Sequence, residues 1–238
     1  MPHLKRAVLD RGRFPLRDHY PYNLDIFRED IELTFTSPVT IFAGENGTGK
    51  STVLRALAHA AGIHIWGEIT RERYERNPYE DELYRAVTVE WADGPVPGSF
   101  FASQTFRNFT SLLDEWAASD PAMLDYYGGR SLMTQSHGQS LMAYFRNRYR
   151  RPGIYFLDEP ETALSPNTQI ELLDVIGECA VSGLAQFVVA THSPLLLSCK
   201  DAVIYSFDGG MVVPVKYTDT DHYKVYRDFF RDMDEAAR

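Results

Sequence analysis

Gly44-Glu45-Asn46-Gly47-Thr48-Gly49-Lys50-Ser51 fits the phosphate-binding pattern G-x-x-x-x-G-K-[ST], and its neighbours put it on a strand–loop–helix unit. Val39–Ala43 before it reads as a buried strand, and Thr52–Ala58 after it as the first turns of a helix. Three glycines let the backbone curl so that successive N–H groups point at one anion, a conformation that side chains would obstruct. The helix adds the positive end of its dipole at the same place. In such a loop Lys50 reaches the β and γ phosphates and the Ser51 hydroxyl holds Mg²⁺. Backbone from Gly44 to Thr52 surrounds the phosphates. The expected ligand is a nucleoside triphosphate.

The bulk numbers frame this reading. A chain of 238 residues suits one large α/β domain, or a core with a small subdomain. With 44% hydrophobic and 24% charged residues it has the composition of a soluble globular protein. No apolar run is long enough to cross a bilayer, so no direct membrane insertion is expected. Met1–Arg6 leads into a polar, strand-like segment with no signal-peptide core behind it. Cys179 and Cys199 sit in apolar surroundings, as reduced thiols of a cytoplasmic protein do. A net charge of −9 argues against a grip on duplex DNA over much of the surface. Two local basic clusters, Arg146/Arg148/Arg150/Arg151 and Arg71/Arg73/Arg76, read first as solvated helix faces. His3, His19, His59, His64 and His222 lack metal-ligand spacing.

The pattern of elements predicts short strands at Leu4–Asp10, Ile31–Phe35 and Val39–Ala43, then the loop helix from about Lys50 to Ala61. The charged stretch Glu68–Arg85 has weak helical character. Ala86–Trp91 and Phe100–Ser103 read as strands around a turn at Asp93-Gly94-Pro95, and a more helical section runs to about Arg151. Ile154–Leu157 is apolar throughout, as a strand covered on both faces should be. Ser165-Pro166 supplies an N-cap and a first-turn proline for a helix to about Val181, with Ile170, Leu173, Ile176 and Ala180 on its core face. Gln186–Ala190 is the next buried strand. Ala202–Phe207 and Met211–Tyr217 close the sheet before a polar helix. The alternation argues an α/β fold with a mostly parallel sheet and helices on both faces.

Leu157-Asp158-Glu159-Pro160 ends the buried strand with two adjacent carboxylates. Neighbours in a strand point to opposite faces, yet where the chain turns at the strand end both can approach one site. Asp158 suits a hold on Mg²⁺, and Glu159 suits the general base that takes a proton from attacking water. Here the chain resembles a nucleotide-binding domain of the ABC ATPase superfamily, from the strand at Ile31 to His192. Asp158-Glu159-Pro160 resembles the Walker B motif with its catalytic glutamate, and Ala163-Leu164-Ser165-Pro166 the D-loop. Thr191-His192-Ser193 resembles the switch region, whose histidine touches the γ-phosphate. Ser136-His137-Gly138-Gln139-Ser140 stands where the ABC signature stands. It departs from the usual form: Gln135 replaces the leading leucine and His137 the first glycine, while Ser136, Gly138 and Gln139 keep the serine, second glycine and glutamine. The resemblance makes Gln104, at the end of its strand, the candidate Q-loop glutamine, contacting Mg²⁺ and the attacking water. It makes Tyr20 or Tyr22 the candidate for stacking on adenine.

The opening Ile31–Phe35 and the N-G-x-G-K-S form of the loop are similar to the chromosome-maintenance and RecF-type branch. That branch inserts a long coiled coil before the signature, and no heptads occur between Lys50 and Ser136. The whole chain most resembles small bacterial stand-alone ABC-type ATPases, through Gln-Ser-His-Gly, the Asp-Glu-Pro-Glu box and Tyr217–Tyr223. The resemblance implies a single domain over 1–238. Residues 1–65 and 152–238 would form the nucleotide-binding core, and about 66–151 an inserted β and helical part carrying the signature. It implies an ATP-dependent homodimer in which Lys50, Ser51, Asp158, Glu159, Gln104 and His192 of one subunit meet Ser136 and Gly138 of the other. ATP and Mg²⁺ are the expected ligands, and a protein effector or nucleic acid the class of partner. The expected function is a soluble ATP-hydrolysing switch. The alternatives are an ABC transporter's nucleotide-binding subunit and an ATP-gated module controlling a nuclease or toxin.

Overall fold

The strand before the phosphate loop, β3 (Val39–Ala43), lies inside a six-stranded sheet with all five residues buried. In the computed structural model, which describes residues 2–66 and 77–237, its two neighbours run parallel to it. These are β7 (Ala185–Thr191) and β8 (Val203–Ser206), and Ile41 faces Val189 on one side and Ile204 on the other. Outward from β7 come β6 (Gly153–Asp158) and then β5 (Gly98–Ala102), both parallel. Outward from β8 comes β9 (Val213–Val215), the one antiparallel neighbour. Every residue of β3, β6 and β7 is buried, as parallel strands covered on both faces require.

A second, antiparallel sheet has the order β2–β1–β4, from β1 (Leu4–Leu9), β2 (Ile31–Thr34) and β4 (Val87–Trp91). β2 alternates buried and exposed residues, because only one of its faces meets the core. The loop helix α1 (Lys50–Ala60) shares one apolar cluster with both sheets: Val53, Leu54 and Leu57 pack with Leu4, Leu33, Phe42 and Phe156. Two polar clamps join the sheets. The buried Gln186 side chain accepts from Leu4 N at 2.8 Å and donates to Leu4 O at 3.0 Å. The Tyr205 hydroxyl accepts from Thr34 N at 2.9 Å and donates to Thr34 O at 3.1 Å. A backbone that would otherwise be unpaired beside the other sheet is satisfied in this way.

The opposite face of the large sheet is covered by α2 (Phe106–Ser119), α3 (His137–Arg148), α4 (Pro166–Val181) and the short α5 (Pro194–Leu197). Leu113, Phe145, Leu172 and Leu197 pack there on Tyr155, Leu157, Phe187 and Val189. Each side chain buried at this depth contributes about 1.5–3 kcal/mol. The final helix, α6 (Asp221–Ala236), buries none of its residues and leaves Val225, Phe229, Phe230 and Met233 exposed.

Several expectations are corrected. The strands expected around Asp93-Gly94-Pro95 form at Val87–Trp91 and Gly98–Ala102, and β4 joins the antiparallel sheet and β5 the parallel one. β4 and β5, both from the 66–151 part, thus lie in different sheets, and α2 and α3 from the same part pack on the large one. Ser165 caps α4 as expected, accepting from Thr168 N at 3.3 Å. The buried face of that helix is Leu172, Ile176 and Cys179, however, and Ile170 is exposed. The strand expected over Met211–Tyr217 shrinks to β9, and Tyr217–Asp219 forms a 3₁₀ turn. Of the basic clusters, Arg146 pairs with Glu171, Arg148 donates to Gly98 O, and Arg151 lies over the Tyr126 ring. Arg71, Arg73 and Arg76 lie outside the described residues, as does much of Glu68–Arg85. Cys179 and Cys199 are free thiols, and burial pushes the latter up to about 11.

Candidate functional site

Gly44, Gly47 and Gly49 all have positive φ, at 147°, 82° and 99°, so the loop from β3 to α1 curls as the glycines predict. Gly49 precedes the first residue of α1, whose free N–H groups face the loop. Lys50 is buried, and its Nζ donates to Gly44 O at 2.6 Å and Glu45 O at 2.8 Å. Burial lowers the Lys50 ammonium from its usual value, against the opposing pull of Glu159, Asp208, Asp158 and Glu161. A cleft of about 400 Å³ opens over the loop, lined by Asn46, Gly47, Lys50, Ser51, Gln104 and Glu159, with Tyr20 and Thr52 at its side. The curled backbone, a lysine and a helix start are the donors a polyphosphate needs.

Asp158 is the last residue of β6 and is buried. The Ser51 hydroxyl donates to its Oδ1 at 2.6 Å, and Arg55 Nε stands 3.9 Å from Oδ2. Burial raises the Asp158 carboxyl above its usual value, while the Ser51 bond and Arg55 act the other way. A hydroxyl and a buried carboxylate in contact are hard oxygen donors. They fit a Mg²⁺ ion that takes its remaining ligands from phosphate and water. Among the described residues no group of three or more His, Cys, Asp or Glu could form a protein-only metal cage.

Glu159 follows in the left-handed region, at φ 47°. That turn lets its carboxylate line the cleft although Asp158 beside it belongs to the strand. A non-glycine residue held there costs about 1–3 kcal/mol, and such strain clusters at functional sites. The His192 ring comes to Glu159 from the end of β7, with Nδ1 3.9 Å from Oε1. Gln104, in the turn after β5, also reaches the cleft. Lys50, Ser51, Asp158, Glu159, Gln104 and His192 thus meet around one loop.

The two tyrosines part company. Tyr22 is 4% exposed and packs on Phe14 and Tyr79, so it belongs to the core rather than to an adenine. Tyr20 is 41% exposed, lines the cleft and shares a 3.0 Å hydrogen bond with Thr52 Oγ1. The signature residues lie elsewhere. Ser136 is the N-cap of α3, and its N–H donates to the Gln139 side chain at 3.2 Å, so Gln139 helps hold the helix start. The His137 ring sits edge-on to Phe106 at 6.1 Å. Ser136, Gly138 and Gln139 do not line the cleft of their own chain.

Sequence reasoning missed three polar supports. Asp208 Oδ1 accepts from Glu45 N at 2.9 Å, anchoring the loop from the turn after β8. Gln169 on α4 donates to Leu164 O at 3.1 Å and accepts from Ser193 Oγ at 2.6 Å, tying the turn before α4 to the segment after β7. Glu161 is buried beside both. Only Glu161 carried a signal, as the third acid of Asp-Glu-Pro-Glu.

Comparison with known proteins agrees with this fold. Residues 140–198 match a family model described as "AAA domain, putative AbiEii toxin, Type IV TA system", and residues 22–85 match one described as "AAA domain". The petrobactin import ATP-binding protein FpuD of Bacillus anthracis is 25% identical over 243 residues, 95% of this chain and 85% of the relative. The hemin import ATP-binding protein HmuV of Rhodopseudomonas palustris is 30% identical over 162 residues, 59% of this chain and 60% of the relative. In fold, the chain is similar to an ATP-binding cassette of an ABC transporter in its ADP conformation (TM-score 0.56, 13% identity, 95% of this chain and 99% of that one). An SmcHead bound to the C-terminal winged-helix domain of ScpA gives a TM-score of 0.51 at 13% identity, over 90% of this chain and 98% of that one.

Proposed function

We propose that the chain carries an ABC-type P-loop nucleotide-binding domain and that it binds and hydrolyses Mg²⁺-ATP as an ATP-sandwich dimer, working as a molecular switch. The observation that carries this reading is that Lys50, Ser51, Gln104 and Glu159 line one cleft, with Asp158 bonded to Ser51 and His192 3.9 Å from Glu159, while Ser136 and Gly138 do not line it. A signature that does not reach its own phosphate loop is suited to reach a second subunit's. The glycine-rich backbone binds the phosphates, and Lys50 exchanges its two loop carbonyls for phosphate oxygens. Ser51 and Asp158, with Gln104 beside them, would hold Mg²⁺, which would supply neutralisation of phosphate charge. Glu159 takes the proton of the attacking water, and His192 and the partner's signature serine steady the terminal phosphate. Loss of that phosphate removes what joins the subunits, so the dimer opens.

Glu159→Gln tests this. The variant should turn over ATP roughly 10²–10⁴-fold more slowly, the share of a general base. Light scattering should show it shifting from monomer to dimer with Mg²⁺-ATP. Turnover at the parent rate would overturn the role given to Glu159, and a nucleotide-bound monomer would overturn the sandwich.

The import ATP-binding relatives favour a second reading, the nucleotide-binding subunit of a transporter. Among the described residues no helix is long and apolar enough to cross a membrane, so a membrane-spanning partner would have to supply the path. Co-purification with such a protein, and turnover stimulated by it, would decide for this reading.

A further inference from the structure

The carboxylate of Glu161 is buried, and one of its oxygens collects three donors from a single segment. Oε1 accepts from Thr191 Oγ1 at 2.6 Å, His192 N at 2.9 Å and Ser193 N at 3.2 Å. Thr191 Oγ1 in turn accepts from Ser193 N at 3.0 Å, and Gln169 holds Ser193 from the other side. The ring of His192 lies over the same carboxylate, with Nδ1 3.4 Å from Oε1. Neither that Nδ1 nor Glu161 Oε2 has a hydrogen-bond partner.

A buried carboxylate is costly unless its bonds do something for the fold or the site. These three all converge on the residues that carry the switch histidine. From this arrangement we propose that Glu161 is a positioning residue: it ties the 191–193 segment to the end of β6 and thereby sets where the His192 ring stands relative to Glu159. The idea rests on the ATP-hydrolysing reading above for its effect on turnover, though not for the tie itself. Asp-Glu-Pro-Glu then carries three tasks in four residues: Asp158 toward the metal, Glu159 toward the water, Glu161 toward the histidine.

The experiment is a double-mutant cycle with Glu161→Ala, His192→Ala and both together, read by steady-state turnover and by amide exchange in the nucleotide-free protein. Glu161→Ala should lower kcat roughly 10- to 100-fold, the range for an outer partner of a site residue, with KM for ATP nearly unchanged. The double variant should be no slower than His192→Ala alone, since Glu161 acts through that residue. Glu161→Gln, whose amide oxygen can accept the same bonds, should recover most of the loss. Exchange at the His192 and Ser193 amides should quicken in Glu161→Ala and not in Glu161→Gln. Losses that multiply in the double variant, parental kcat in Glu161→Ala, or unchanged exchange would each overturn the proposal. If the alanine variant does not fold, Glu161→Asp, one methylene short of the donors, takes its place. A parent protein that turns over no ATP would sink the hydrolysis reading, and exchange would then decide the tie alone.

Discussion

Asp158 shows what burial does to one carboxyl at the end of a strand. Its burial raises its affinity for a proton above that of the unfolded chain. A group shifted in that direction stabilises the fold most below its unfolded value, and the contribution is lost as pH rises through its folded value. Above that folded value the ionised Asp158 therefore opposes folding. Asp158→Asn keeps an oxygen for the Ser51 hydroxyl and removes the charge. The nucleotide-free variant should melt above the parent at pH 7 by calorimetry, and the gap should close as the pH falls and the parent takes up its proton. Its Mg²⁺-dependent turnover should collapse. A variant melting below the parent at pH 7 would show that the Ser51 and Arg55 contacts outweigh burial. That Asp158, Glu159 and Lys50 come to one loop was legible in sequence, because adjacent residues and a fixed loop spacing set their positions. Asp208 was not, since its tie to Glu45 spans the chain from the turn after β8 to the loop after β3.

Among elements, the unit β3–loop–α1 depends most on local conformation. Gly49 turns the chain into α1 at φ 99°, and a Cβ there would stand 2.6 Å from Ile26 Cδ1. Gly49→Ala should cost about 1–3 kcal/mol of stability from the backbone strain alone, and it should weaken ATP binding by displacing the loop. Urea denaturation and nucleotide titration check the two effects, and parental values for both would contradict the close approach. This unit was readable because glycine, lysine and hydrophobic periodicity report local structure directly. The face of α4 was not. Helical spacing puts Ile170 in one register with Leu173 and Ile176, and only packing against β7 and α3 turns Leu172, Ile176 and Cys179 inward and leaves Ile170 in water. Asp93-Gly94-Pro95 shows the same limit: it announces a turn, but not that the strands on either side enter different sheets.

At the scale of the whole molecule, the two sheets are held by packing around α1 and by clamps that pair side chains with distant backbone. Gln186→Leu would leave Leu4 N and Leu4 O buried without partners. It should destabilise the protein by about 1–3 kcal/mol for each group left unpaired. Thermal or urea unfolding measures this, and a variant as stable as the parent would mean the clamp is replaced by water. Nothing near Gln186 in the chain hints at that role, because its partner is 182 residues away. The sequence by itself determined the α/β class, the phosphate loop, the acidic strand end and the order of motifs along the chain. Each of these depends on neighbours within a few residues, where spacing translates directly into geometry. Only the tertiary structure decided which tyrosine faces the cleft, which strands share a sheet, that Glu161 and Gln169 brace the switch, and that the signature stays outside its own cleft. Those outcomes depend on contacts between segments far apart in the chain, and burial, which selects among them, is a property of the assembled core.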